Sequence, residues 1–467
     1  MTTPFEVRVH KALQDPDLGG ALQTLSRQLT SRRALAFQSL AASDSMRDLA
    51  RKAKLDTLRD LASNLELFER RLAANGARVH WAETGADANR IVAEIARQHG
   101  VRRVAKAKSM VSEEIHLNAS LERAGIEVVE TDLGEYVVQL ADERPSHIVA
   151  PIIHLTRKQV GQVMHDRLKT PLTDDPSTLG QYARERLRRV FLDADMGITG
   201  ANFGIVETGT ICLVTNEGNG RMVSTLPRIH VVLMGIEKLV PTLADLDRFL
   251  KLLARSATGQ KLTAYTSLIS GPRRSADECG PDALHVVLID NGRSRLMASG
   301  AAEILGCIRC GACMNVCPVY TSIGGHAYGD TYPGPVGAIL TPGLRGLRDW
   351  ADLPSASSLC GACRDVCPVR LDIPRMLLHL RHDASRTHTP AWLRWAMRGF
   401  GLIVGRPTLY GVVNQAARFA LRRRAHDGWI TSAPGPAAAW TTTRDLRSPA
   451  QLAFQQAWRA ELRRGGA

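Results

Sequence analysis

The chain has 467 residues, enough for two or three domains with cores of their own, so its nine cysteines are not staples for a mini-protein. The formal charge of +14 is uneven: from Arg381 onward, fourteen arginines and no lysine stand against four acids, so +10 falls in the last 87 residues. The first thirty residues hold no apolar run able to serve as a signal-peptide core, and Arg398 and Arg406 interrupt AMRGFGLIVGRPTLYGVV, which makes it a poor candidate for an unaided bilayer span.

The expected location is therefore the cytoplasm, where disulfides are rare and clustered cysteines serve metals or catalysis. Residues 1–75 read as helices that pack on the domain that follows: QTLSRQLTSRRALAF and DTLRDLASNLELFERRLAANG place apolar side chains at three- and four-residue steps, and Gly76 stops the second. Strand and helix then alternate, through ARVHWAE, ADANRIVAEIARQHG, VRRVAKAKS, EEIHLNASLERAG and IEVVETD, with stops at Gly100 and Gly125. Such alternation requires crossovers and a mostly parallel sheet covered on both faces. TICLVTN, RIHVVLMG and LHVVLID add β-rich segments, and this α/β domain is expected to span residues 76–300. A cysteine domain over 301–380 and a helical, arginine-rich extension over 381–467 complete the chain.

Cys307, Cys310, Cys313 and Cys317 form C-x2-C-x2-C-x3-C-P, the run of bacterial ferredoxin-type sites, in which the fourth thiolate serves a neighbouring cluster. A partner segment exists: CGACMNVCPV at 310–319 recurs as CGACRDVCPV at 360–369. Crossover assigns Cys307, Cys310, Cys313 and Cys367 to a first iron–sulfur cluster and Cys317, Cys360 and Cys363 to a second. The repeat mate of Cys307 is Ser357, so the second site either takes Ser357, another group or solvent as fourth ligand, or holds a three-iron cluster. Zinc spacing is not matched. Cys212, inside TICLVTN, reads as a small buried hydrophobe, and Cys279 stands alone in sequence. Two clusters carry single electrons and form a relay.

No G-x-G-x-x-G follows a strand, and the glycines of GITGANFG are wrongly spaced for a dinucleotide loop. Two stretches are expected to build a polar pocket on strand ends: AKAKSMVSEE with Lys106 and Lys108, and residues 198–222 with Asn202, Glu207, Thr208, Asn216 and Glu217. The two lysines share one side of an extended strand and could meet an anion; for Glu207 and Thr208 the competing role is turn formation beside Gly209.

DLGEYVVQL (132–140), TGANFGIVETGTICLVTNEGN (199–219) and LIDNGRS (288–294), followed by CIRCGACMNVCPVY, IGGHAYGDTYPGPVGA and SLCGACRDVCPV, together resemble the iron–sulfur B proteins of bacterial lactate utilisation over residues 60–370. The resemblance implies an LUD domain of the sugar-phosphate isomerase and CoA-transferase type. It also implies two clusters, most often of four irons, and action with the A and C proteins of that system in oxidising L-lactate to pyruvate. On this reading the chain is the electron carrier, not a catalyst alone, and it delivers electrons toward the respiratory chain through an acceptor the sequence does not name. One rival has the LUD domain itself bind and oxidise a small carboxylic acid. A second, a nucleic-acid-binding iron–sulfur protein, follows from the pI near 9.7 but lacks a base-stacking module. The basic tail suits an acidic partner or the inner face of an anionic membrane.

Overall fold

The computed structural model describes residues 4–276 and 278–464. Residues up to 387 form one unit and those from 388 a second. In chain order the first unit contains β1 (Arg78–Ala82), β2 (Arg103–Lys106), β3 (Glu127–Glu130), β4 (Met196–Gly200), β5 (Phe203–Ile205), β6 (Thr210–Thr215), β7 (Ile229–Gly235), β8 (Leu239–Val240), β9 (Tyr265–Ile269) and β10 (Ala283–Ile289). Six of them form a wholly parallel sheet in the order β1-β10-β7-β4-β2-β3.

Burial on both faces explains why its inner strands are runs of apolar residues. Side chains alternate across the sheet. Val231, Leu233, Val287 and Ile289 pack with Val92, Ile95, Leu117 and Leu121 on one face. Their neighbours Val232, Met234, Val286 and Leu288 pack with Leu61, Leu65, Phe68 and Leu72 on the other. Gly197 has a steric reason, since a Cβ there would collide with the carbonyl oxygen of Val223.

TICLVTN does not join this sheet. It forms β6 of a separate four-stranded sheet, β8-β5-β6-β9, in which β6 is antiparallel to both neighbours. Only four residues separate β5 from β6, too few for the crossover that a parallel pair needs, so the chain turns back as a hairpin.

Beyond β10 the first unit is helical, in short pieces apart from Gly334–Arg345 and Ile373–His388, and the cysteine segments share one core with the N-terminal helices. The helix Leu18–Gln38 packs on Ala312–Asn315 and Tyr320–Ile323 as well as on Leu243–Ala257, so the N-terminal helices serve both the α/β and the cysteine regions. In the second unit, the helices Ala391–Val404 and Pro407–Arg423 pack together, and Trp429–Ile430 pairs with Leu446–Arg447. No helix among the described residues is long and apolar enough to cross a membrane.

Candidate metal centre and adjoining cavity

All nine cysteines are free. The seven between 307 and 367 fall into two groups of thiols that act on one another electrostatically. Burial raises Cys310, with Cys307 and Cys367 adding to it, and raises Cys313, with Cys307, Cys310 and Cys367 adding to it. Cys367 is pushed up to about 11, by burial first; the Leu371 N–H opposes this and Cys307 reinforces it. In the other group, Cys317 is raised by burial and by Cys360, and Cys363 reaches about 12 through burial, then Cys317 and Cys360. Cys313 also senses Cys363, so the groups adjoin, and the short helices Ala312–Asn315 and Ala362–Asp365 pack together. Cys360 is exposed, and the Ala362 N–H followed by Ser358 lowers its pKa.

This donor set fits iron–sulfur chemistry. Buried thiols that repel one another as anions favour a cation that takes them as thiolates. N–H groups point at sulfur, from Arg309 to Cys307 (3.4 Å), Tyr320 to Cys317 (3.5 Å) and Leu371 to Cys367 (3.4 Å). Arginines from the N-terminal helices hold the second segment by its carbonyls: Arg33 donates to Val366 at 2.7 Å, Arg47 to Cys367 at 2.8 Å and Arg51 to Arg370 at 2.7 Å. The same Arg33 and Arg47 supply positive charge beside Cys310 and Cys367. These three arginines were not legible as site residues, because they lie some three hundred residues from the cysteines in sequence. Cys212 is fully buried in the core, and burial lifts its thiol to about 12, as suits an inert residue. Cys279 is exposed in the loop before β10.

A cavity of about 220 Å³ lies beside the first group. It opens at the carboxyl ends of β2 and β4, adjacent strands whose crossovers run in opposite directions. Parallel sheets bind ligands at that switch point, because the diverging connections leave a crevice. Of the residues singled out in the sequence, Lys108, Asn202, Asn216 and Glu217 line it. Lys106, Glu207 and Thr208 do not. Strand β2 ends at Lys106, so the alternation of sides stops before Lys108. Lys106 instead turns into the interior, with no exposed surface, and pairs with Glu130 (2.6 Å) and Glu113 (3.0 Å). Glu207 accepts the Leu243 N–H at 2.8 Å, and the Thr208 hydroxyl donates to Thr210 at 2.9 Å in the hairpin turn that Gly209 closes at φ +63°.

The structure adds three residues that sequence reading missed. Lys238 is 9% exposed, lines the cavity and makes no hydrogen bond or ion pair among the described residues. Burial, then Arg309, brings its ammonium down to about 8. Asn219, 4% exposed, leaves its Oδ1 without a partner among the described residues. Arg309 forms part of the wall and donates through Nη1 to the Cys307 carbonyl at 3.3 Å, linking the cavity to the first thiol group. Its place inside CIRC was the one available signal, a cation within a ligand run.

Behind the cavity a buried charge network joins the two regions. Arg293 is bidentate on Glu114 (2.8 and 2.9 Å) and donates from Nε to Glu237 at 2.6 Å. Arg309 reaches the same Glu237 at 3.2 Å, and the Tyr332 hydroxyl donates to Glu114 at 2.7 Å.

Residues 65–289 match the LUD domain family and residues 303–371 the 4Fe-4S dicluster domain family. Over nearly the whole length the chain is similar to the lactate utilization protein B of Shouchella clausii, at 42% identity over 99% of this chain and 98% of that one. The protein of the same name from Geobacillus thermodenitrificans shows 42% identity over the same shares. The uncharacterized electron transport protein YkgF of Escherichia coli shows 41% identity over 95% of this chain and 94% of its own.

Proposed function

Because the chain belongs to the lactate utilization protein B family, an LUD domain joined to a 4Fe-4S dicluster domain, we propose that it is the electron-transfer subunit of a multi-protein system oxidising L-lactate to pyruvate. Its partners on this reading are the A and C proteins of that system, and the electrons leave toward the respiratory chain. The two clusters supply one-electron carriers. The observation that supports the reading is that the last thiol of each near-identical cysteine segment, Cys317 or Cys367, acts electrostatically on thiols of the other segment. What the residues contribute is insulation and charge: burial excludes water from five of the seven thiols, and Arg33, Arg47 and Arg309 offset their negative charge. With the A and C proteins present, lactate should bleach the visible absorbance of the anaerobic chain. Oxidation of lactate at full rate by this chain alone, with an artificial acceptor, would remove the division of labour.

The cavity favours a second reading, in which the LUD domain itself binds the small carboxylate. Lys238 is a buried cation that makes no hydrogen bond or ion pair among the described residues, and Arg309 brings the wall to the first thiol group. A piece ending near residue 300 would lack Arg309 and Tyr332, so the full chain is the proper subject. Lys238→Ala should weaken lactate or pyruvate binding by about tenfold or more, the worth of one charge-assisted hydrogen bond. Calorimetric titration that finds the same affinity in both proteins, or none in either, would count against it.

The second unit is the proposed contact with an anionic membrane. Trp392, Trp395, Phe400 and Phe419 are exposed on a helical pair that also carries Arg394, Arg398, Arg418 and Arg422, the make-up of an interfacial helix. Full-length Trp395→Ala/Phe400→Ala should lose most of its cosedimentation with anionic vesicles. Equal sedimentation of variant and parent would leave an acidic protein partner as the tail's target.

A further inference from the structure

The second thiol group has three members, Cys317, Cys360 and Cys363, whereas a four-iron cluster ordinarily takes four protein ligands. The fifty-residue repeat shows what stands in the fourth position. Backbone geometry is duplicated residue by residue. Arg309 and its mate Leu359 both lie in the left-handed region, at φ +60° and +56°, as do Gly311 and Gly361, at +75° and +86°. The Met314 N–H donates to the Gly311 carbonyl at 3.0 Å and the Arg364 N–H to the Gly361 carbonyl at 2.9 Å. The Cys317 N–H donates to the Met314 carbonyl at 3.1 Å and the Cys367 N–H to the Arg364 carbonyl at 3.2 Å.

Within this frame Cys307 Sγ accepts the Arg309 N–H at 3.4 Å, and its mate Ser357 Oγ accepts the Leu359 N–H at 3.1 Å. The bond is the same, shortened as an oxygen acceptor requires. A serine that only closed a turn would also accept a nearby N–H. The difference lies in its repeat mate, which receives that N–H as a thiol of the first group, and in Leu359. A leucine at positive φ is strained, and the strained residue is the one whose N–H meets Ser357. The segment is also anchored from outside, since Arg381 donates to the carbonyls of Pro354 and Ser357, each at 2.8 Å.

We propose that Ser357 Oγ is the fourth protein ligand of the second cluster. The assignment rests on the two-cluster reading above. An iron–oxygen bond forms, the hydroxyl proton passes to water, and the Leu359 N–H stabilises the resulting alkoxide. Oxygen in place of sulfur gives the second cluster an electronic character unlike the first, since ligand type and hydrogen bonds to the ligands tune the potential.

The test compares full-length wild type, Ser357→Ala and Ser357→Cys, all purified anaerobically, by iron and sulfide content and by electron paramagnetic resonance as isolated and reduced. The wild type should hold about eight irons per chain. Ser357→Ala should lose about one of them and show a three-iron signal when oxidised. Ser357→Cys should keep the full count while shifting the spectrum and potential of the second cluster alone. Ser357→Ala with the iron content and spectra of the wild type would overturn the assignment, as would a wild type that itself holds only three irons at that site. All three proteins free of iron would overturn the two-cluster reading instead.

Discussion

Cys367→Ala is expected to disrupt the first cluster, although the residue lies in the second cysteine segment. Its thiol is among those that raise Cys310 and Cys313, and Cys307 in turn acts on it. The converse holds for Cys317, which belongs with Cys360 and Cys363. Each variant should lose from about one iron to about four per chain, all from the cluster concerned, and nearly all lactate-driven electron flow, because a relay with one carrier altered is broken. Spectra identify which cluster is affected: Cys367→Ala should match Cys310→Ala, and Cys317→Ala should match Cys363→Ala. If Cys367→Ala instead matched Cys363→Ala, each segment would close its own cluster and the interlocked arrangement would be wrong.

The second large effect is on stability. Arg293→Met should destabilise the first unit by about 3–5 kcal/mol, since it strands Glu114 and Glu237 as buried carboxylates without their shared partner. Loss of the network also loosens the seam between the α/β and cysteine regions, because Tyr332 and Arg309 are tied to those same carboxylates. Denaturant unfolding measures the effect, and a change within 1 kcal/mol would mean that the network relaxes or hydrates. Acid supplies a second readout. Burial alone would raise the Glu237 carboxyl, but Arg293, Arg309 and Lys238 outweigh it and hold it at about 2, below its usual 4.5. A carboxylate depressed on folding contributes stability that is complete above its ordinary value and lost as pH falls toward its folded one. The wild type should therefore weaken between about pH 4.5 and 2, and Arg293→Met should lose much of that dependence.

Local pattern carried far in this chain because its strands are buried on both faces. RIHVVLMG and LHVVLID are mostly apolar for that reason, and the glycines at 76, 100 and 125 sit at positive φ where helices stop. TICLVTN reads the same way yet belongs to a different sheet. Its composition reflects burial, which both sheets share, whereas its partner was chosen by the short turn before it. The polar pocket was half legible. Strand ends mark where a parallel sheet opens, which pointed to Lys108 and Asn202, but Lys106 showed no sign that Glu113 and Glu130 would take it inward.

The cysteine spacing, its recurrence fifty residues on and the odd serine at 357 are properties of the chain alone, because a cluster demands ligands at short fixed intervals and those intervals are written in order. Which residues surround them is another matter. Arg33, Arg47, Lys238 and Glu237 reach the site from distant parts of the chain, brought there by the packing of helices and by the sheet's crossovers. Charge compensation acts through space, over a few ångströms, whatever the separation along the backbone. Only the folded arrangement of the two regions could decide it.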